Sequence, residues 1–202
     1  TMNDTNDVIV KVNNFITDGE IKVVRQYCEG TEVNWNVGGQ PPDTVWYNRV
    51  VQASQLPRTS PIRRLLYTIA ARTRRQIETY GTGPLYLQTL QIVKWQKGDN
   101  LDPPHADAEH VDPNYPKPHP FPMRHYSALV YINDDYEGGE IYFVNQNLKP
   151  KIEPGMLVHF TGKREDLHGV TEVTRGLRYT IPMWFTRDKQ FEMEILPEER
   201  AL

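Results

Sequence analysis

Apolar residues in this chain recur at two different periods, and the change between them divides it. Up to about residue 82 the spacing is largely helical, and from about residue 85 it alternates over short runs broken by Gly, Pro, Asn and Asp. The short β-branched run Val8-Ile9-Val10-Lys11-Val12 predicts an opening strand. Thr17-Asp18-Gly19-Glu20 has the Thr-x-x-Glu form of a capping box, and Ile16 and Ile21 are placed as a hydrophobic staple. A helix should follow, with Ile21, Val24, Tyr27 and Cys28 on its apolar face and Gly30 as its stop. Gly38-Gly39 and Pro41-Pro42 mark a loop, and residues 45–51 are strand-like. Ser60-Pro61 opens the clearest helix, a cap followed by proline in the first turn. Ile62, Leu65, Leu66, Ile69, Thr73 and Ile77 form its buried stripe, and Gly81 ends it. Arg63, Arg64, Arg72, Arg74 and Arg75 fall largely off that stripe, as a solvated face rather than a phosphate site.

The second half predicts strands at 85–95, 126–131, 141–144, 155–160 and 178–185. Gly138 and Gly139 suit a hairpin turn over 134–140, from which short strands continue as a meander. That acidic turn lacks the ligand pattern of a calcium-binding EF-hand loop, so it is read as structural. Seven of the sixteen prolines lie between 103 and 122, too many for a central strand or helix interior, which predicts a stiff irregular loop. Residues 190–202 turn charged and suit a peripheral strand with a frayed tail. Two amphipathic helices ahead of many short strands give an α+β chain with a jelly-roll core.

Composition changes this picture little. A chain of 202 residues is expected to form one domain, with helical support over about 15–82 and the sheet core over about 85–188. Lys plus Arg is 23 and Asp plus Glu is 26, a net charge of −3 with no basic field to invite nucleic acid or anionic lipid. A single cysteine, Cys28, excludes an intrachain disulfide framework and is read as a small buried hydrophobe. No apolar run reaches membrane-spanning length, and the polar start lacks a signal peptide's apolar segment, so a soluble cytoplasmic protein is expected. Oligomeric state is not readable.

Candidate chemistry centres on Pro104-His105-Ala106-Asp107. On an extended strand His105 and Asp107 project to one face and can grip one ion. Alone, this His-x-Asp is a weak motif, and His105 would be an ordinary surface histidine. A second segment, from His168-Gly169 to Arg178-Tyr179, raises its standing, with a Gly176 turn inside a possible strand pair. Two histidines and a carboxylate on one side of an ion suit non-haem Fe(II). The Arg178 fork, ten residues after His168, suits the far carboxylate of a dicarboxylic co-substrate, which with the metal implies 2-oxoglutarate. His110 and His119 are rival ligands of lesser standing. Trp35 and Trp46 read as core or lid aromatics rather than substrate platforms.

From about residue 90 to 185 the chain resembles the 2-oxoglutarate and Fe(II)-dependent dioxygenases of the prolyl 4-hydroxylase superfamily. The resemblance rests on four ordered blocks: the His105 and Asp107 motif, Tyr131-Ile132-Asn133-Asp134 with Glu137-Gly138-Gly139-Glu140, Pro154-Gly155 to His159-Phe160, and His168 to Phe185. It implies a double-stranded β-helix core and Fe(II) held by His105, Asp107 and His168. It also implies a reaction of 2-oxoglutarate and O2, with ascorbate as a helper, that yields succinate and CO2 as substrate is hydroxylated. Tyr131 matches the position that bonds the distal carboxylate of 2-oxoglutarate, and Ser127 one that often carries a hydroxyl facing it. Arg178, Thr180, Pro182 and Trp184 share a strand face, and Trp184 matches an aromatic near co-substrate. Trp95 stands where relatives carry a tyrosine that contacts the co-substrate, and an indole donates but cannot accept. Arg124 is open between a substrate or loop contact and an ordinary surface arginine. The substrate implied is a prolyl residue in a peptide or protein; the block from His168 to Tyr179 also resembles lysyl hydroxylases, so a lysyl residue or a free amino acid is the alternative. An inactive jelly-roll binding protein is the reading from another class.

Overall fold

The computed structural model describes residues 9–202, so Val8 of the expected opening strand lies outside the described residues. That strand is β1 (Val10–Val12). The capping box forms as its residues dictate: the Thr17 N–H donates to Glu20 Oε1 at 2.9 Å and the Glu20 N–H to Thr17 Oγ1 at 3.1 Å. Helix α1 (Asp18–Glu29) follows and stops at Gly30, which is extended (φ −70°, ψ 155°) rather than left-handed. Strands β2 (Asn36–Val37) and β3 (Val50–Gln52) flank a loop. The strand expected over 45–51 therefore shrinks to its end. Successive turns at Thr44, Tyr47 and Arg49, each N–H donating to the carbonyl three residues back, take the backbone groups a strand would need.

Helix α2 (Pro61–Glu78) opens with Ser60 accepting from the Arg63 N–H. It ends before Gly81, because Thr79 caps it and Gly81 (φ +77°) serves the turn beyond. The stripe is buried except for Leu65, which is half-buried. Arg63 corrects the reading of a solvated arginine face. It is 4% exposed, donates to the carbonyls of Ser54 and Leu56, and pairs with Glu199 at 2.6 Å. Glu199 lies on a short helix, α3 (Pro197–Arg200), so the C-terminal segment is no strand; a 3-10 turn over Lys189–Phe191 precedes α3.

The remaining strands are β4 (Tyr86–Trp95), β5 (Leu101–His105), β6 (Tyr126–Tyr131), β7 (Glu137–Gly138), β8 (Ile141–Phe143), β9 (Leu157–Thr161), β10 (His168–Val170), β11 (Val173–Arg175) and β12 (Arg178–Thr186). Seven strands form one sheet in the order β1-β9-β6-β12-β4-β3-β2, three form a second in the order β5-β10-β8, and β7 pairs with β11. The two larger sheets face each other as a jelly roll, the double-stranded β-helix.

This topology corrects the local pairings expected from sequence neighbours. Residues 134–140 are not a hairpin, since β6 and β8 belong to different sheets and the segment crosses between them. Gly138 (φ +72°) and Gly139 (φ +61°) do take the positive φ expected, and a Cβ on Gly138 would lie 1.9 Å from the Glu172 carbonyl oxygen. Strands β8 and β9 likewise go to opposite sheets instead of continuing a meander. Gly176 turns with φ +81°, yet β11 pairs with β7 while β12 pairs with β4 and β6. Pro103 and Pro104 sit within β5, which tolerates them as an edge strand with one side free of ladder bonds.

Two cores explain why β12 is buried almost throughout. Tyr179, Ile181, Met183 and Phe185 join Leu66, Ile69, Leu90 and Ile92 in the core between helices and large sheet. On the other side, Val93, Trp95, Tyr131 and Val158 meet Ile141, Phe143 and Val170 between the sheets. The large sheet is thus covered on both faces, and the site occupies the part of the inter-sheet space that side chains leave unfilled.

Candidate metal centre and its cavity

A cavity of 610 Å³ opens between the sheets, and Arg178, Thr180, Pro182 and Trp184 all line it, as the alternation along β12 requires. At one end His105, Asp107 and His168 come together, with one potential ligand atom from each within 4.8 Å of the others. His105 and His168 are Cα partners across the β5–β10 ladder, so their rings meet at a centroid distance of 4.5 Å. Asp107 is not on the strand as expected: β5 ends at His105, and Asp107 follows in the loop. The chain turns there, and the carboxylate still reaches the histidines.

Asp107 Oδ1 lies 2.9 Å from His105 Nε2 and 3.5 Å from His168 Nε2. Its other oxygen, Oδ2, accepts from the Ser127 hydroxyl at 2.5 Å and from the Trp184 indole N–H at 3.0 Å. Burial alone would raise the Asp107 carboxyl, but His168, His105 and the Ser127 hydroxyl outweigh it and hold the group well below the usual carboxylate range. Burial pushes His168 down, toward the neutral imidazole. Its Nδ1 donates to the Asp166 carbonyl at 2.8 Å, which leaves the Nε2 lone pair facing Asp107. Asp166 is itself fixed, its carboxylate accepting from the Thr161 N–H and hydroxyl at 2.8 and 2.7 Å. Lone pairs of an ionised carboxylate and a neutral imidazole that face one another need a cation between them. The set of two nitrogens and one oxygen fits Fe(II), and the open cavity leaves room for further ligands.

The far end of the cavity is cationic. Arg178 is 3% exposed, no carboxylate pairs with it among the described residues, and its Nε has no hydrogen-bond partner there. Its Nη2 donates to the Tyr131 hydroxyl at 3.4 Å, and its guanidinium lies over the Trp95 ring at 4.9 Å. Burial pushes the Tyr131 hydroxyl up to about 12, so it stays protonated at neutral pH. The Trp95 Nε1 also lacks a partner among the described residues. A buried guanidinium without an anion, ringed by free donors, is built for a carboxylate that arrives with a ligand.

Ser127 corrects the expected layout. It faces the metal-binding carboxylate, not the Arg178 end, because β6 pairs Ser127 with Trp184 but Tyr131 with Thr180. Trp46 lines the cavity and packs on Trp95 at 6.1 Å, whereas Trp35 stacks on Tyr179 in the helix-side core. Arg124 is no ordinary surface arginine. Its guanidinium lies 3.9 Å from the Phe121 ring centre and 4.1 Å from that of Trp184, and its Nε donates to Gln88 Oε1 at 3.1 Å. Burial brings it down to about 10. His119 lines the cavity, and His110 packs on His119 and Tyr115, but neither belongs to the ligand cluster. Two contributors were not anticipated: Asp166, through a backbone carbonyl that no side-chain pattern reveals, and Tyr136 of the crossing segment read as purely structural, whose hydroxyl burial pushes up while the nearby Arg178 charge acts against that rise.

Residues 90–186 match the model of the 2OG-Fe(II) oxygenase superfamily. Prolyl 3-hydroxylase 2 of Rattus norvegicus is 33% identical over 69% of this chain, and prolyl 3-hydroxylase 1 of Homo sapiens is 32% identical over 61%. The chain spans less than a quarter of the length of these curated relatives, 23% and 19% respectively. Among solved structures, a viral collagen prolyl hydroxylase from Paramecium bursaria Chlorella virus-1 superposes with a TM-score of 0.66 at 19% identity, covering 93% of this chain and 99% of that one. A Pseudomonas putida prolyl-4-hydroxylase gives 0.57 at 17% identity, covering 89% and 92%. Fold, ligand cluster and family model agree: the chain belongs to the 2OG-Fe(II) oxygenase superfamily.

Proposed function

We propose that this chain hydroxylates a prolyl residue in a peptide or protein, using Fe(II), 2-oxoglutarate and O2. The observation that carries the proposal is one cavity with the His105, Asp107 and His168 cluster at one end and, at the other, Arg178, with which no carboxylate pairs among the described residues. His105, Asp107 and His168 would hold the metal, which supplies the oxidising chemistry when bound. Arg178 and the protonated Tyr131 hydroxyl would take the far carboxylate of 2-oxoglutarate, with Trp95 beneath the guanidinium. Ser127 and Trp184 orient Asp107, and the apolar residues between the sheets exclude water from the reacting end.

The prolyl substrate is supported by what the cavity wall omits. Among the described residues Asp107 is the one carboxylate that lines it, and both of that group's oxygens are engaged. A lysyl ammonium would find no free counter-charge, which disfavours the lysyl alternative. The complete ligand and anchor set argues against an inactive binding protein. The relatives named prolyl 3-hydroxylases and the structural neighbour named a prolyl-4-hydroxylase leave ring carbons 3 and 4 as the two positions to distinguish.

The test is mass spectrometry of proline-rich peptide pools incubated with the protein, Fe(II), 2-oxoglutarate and ascorbate. Gain of one oxygen on proline is expected, and amino-acid analysis against hydroxyproline standards gives the ring position. Consumption of 2-oxoglutarate with no oxygen on any prolyl peptide overturns the prolyl reading. Absence of a weak visible charge-transfer band with Fe(II) and 2-oxoglutarate under anaerobic conditions overturns the metal site itself.

A further inference from the structure

Beyond the metal and Arg178, the cavity wall carries a strip of side-chain amides. Gln52 on β3 and Gln91 on β4 are Cα partners across the β3–β4 ladder, and Gln40 and Gln88 join them on the same wall. Gln88 reaches this face through an irregularity in the β4–β12 ladder. Trp184 pairs with Thr89 but Phe185 pairs with Leu87, so Gln88 is the extra residue of a bulge and turns to the same side as Thr89 and Gln91. Without the bulge, alternation would send Gln88 into the helix-side core.

These amides are placed and uncommitted. A Cβ on Gly38 would lie 2.5 Å from Gln52 Cγ, so the glycine lets the loop lie across the stem of Gln52. The Gln88 carbonyl oxygen accepts from Arg124 Nε at 3.1 Å and from the Thr89 hydroxyl at 2.7 Å, which leaves its amino group to donate outward. The side-chain amides of Gln40, Gln52 and Gln91 form no hydrogen bond with the described residues. Trp46 lies on this wall as well, and Phe121 and Trp184 flank the Arg124 guanidinium.

A proline-rich peptide presents carbonyl acceptors and ring faces but few N–H donors, and its extended form makes no internal hydrogen bonds. Its binding surface should therefore offer neutral donors between aromatic side chains. We infer that Gln52, Gln88 and Gln91 are the peptide-recognition strip, donating to main-chain carbonyls on either side of the target proline and selecting uncharged flanking residues. This rests on the prolyl reading above. The peptide lies across β3 and β4 with its rings against Trp46 and Phe121, the latter on the loop between β5 and β6.

The test is fluorescence anisotropy with a labelled Pro-Ala repeat peptide, and the same peptide with lysine beside the central proline, on the Fe(II)- and 2-oxoglutarate-loaded protein without oxygen. Each of Gln52→Ala and Gln91→Ala should weaken the neutral peptide by roughly 3- to 10-fold, the worth of one neutral hydrogen bond. The pair Gln52→Glu and Gln91→Glu should reverse the preference, so that the lysine peptide binds more tightly than the neutral one. The anaerobic charge-transfer band reports an intact site in each variant. Unchanged neutral-peptide affinity in both alanine variants, or a Glu variant that still prefers the neutral peptide, overturns the strip while leaving prolyl hydroxylation standing. Wild-type protein that binds neither peptide and oxidises no prolyl peptide overturns both.

Discussion

Asp107 shows how one residue divides its labour between two oxygens. Oδ1 faces the histidines, while Oδ2 is held by Ser127 and Trp184, which favours ligation through a single oxygen. Substituting His105, Asp107 or His168 with alanine should abolish metal binding and turnover. Ser127→Ala and Trp184→Phe should keep the ligands but weaken Fe(II) by roughly 10- to 100-fold, the usual effect of removing a partner behind a metal ligand. A competition titration with Mn(II) measures this, and unaltered affinity in both variants would remove their positioning role. Arg178→Ala should raise the half-saturating 2-oxoglutarate concentration by roughly 100-fold, as expected when a buried charge partner is lost, with Fe(II) affinity retained. At this scale the sequence was informative about identity and poor about orientation. His105, Asp107, His168 and Arg178 were legible because their residue types are chemically distinctive. That Ser127 turns to the metal end and Trp184 donates to Asp107 depends on the β6–β12 register, which no local pattern states.

At the scale of elements, helices were more legible than pairings. The Thr17 capping box and the Ser60-Pro61 start are local rules, and the structure obeys them. Strand β6 was readable from its own residues, but its partners β9 and β12 lie far along the chain, so nearest-neighbour hairpins were the wrong expectation. The same non-locality hid the Arg63–Glu199 pair, whose members are 136 residues apart and have side chains 5% exposed. Breaking a buried pair strands a charge, so Glu199→Ala should cost about 3–5 kcal/mol in urea unfolding. The joint replacement Arg63→Met with Glu199→Leu should recover much of that loss. A single variant within about 0.5 kcal/mol of wild type would show that the pair contributes little, since that is the ordinary scale of a surface change.

At the scale of the whole molecule, a buried group away from the metal centre is set against acid. His159 on β9 is 4% exposed, meets Tyr80 edge-on at 5.3 Å, and has no hydrogen-bond partner for Nε2 among the described residues. Burial pushes its pKa down to about 4. Because the folded value lies below that of the unfolded chain, protonation favours unfolding. The contribution is complete above about pH 6.5 and falls as pH drops toward 4, by about 3 kcal/mol in all. His159→Leu should flatten that part of the stability profile, measured as urea midpoints between pH 7 and pH 5. An equally steep profile in the variant would place the acid sensitivity elsewhere.

The register of β6 against β12 has a further consequence. Ser127 and Tyr131 sit at opposite ends of the site, four residues apart on one strand, a span of about 14 Å at the usual rise. Their sheet is covered on both faces, so this span cannot flex with the loops. It acts as a ruler between metal and anchor. A dicarboxylic acid one carbon shorter than 2-oxoglutarate cannot satisfy both ends and should bind far more weakly, whatever is changed at the cavity mouth. Oxaloacetate competing as well as 2-oxoglutarate for the loaded site would show that the ruler does not hold. The chain's choice of co-substrate is thus written in the spacing of a sheet.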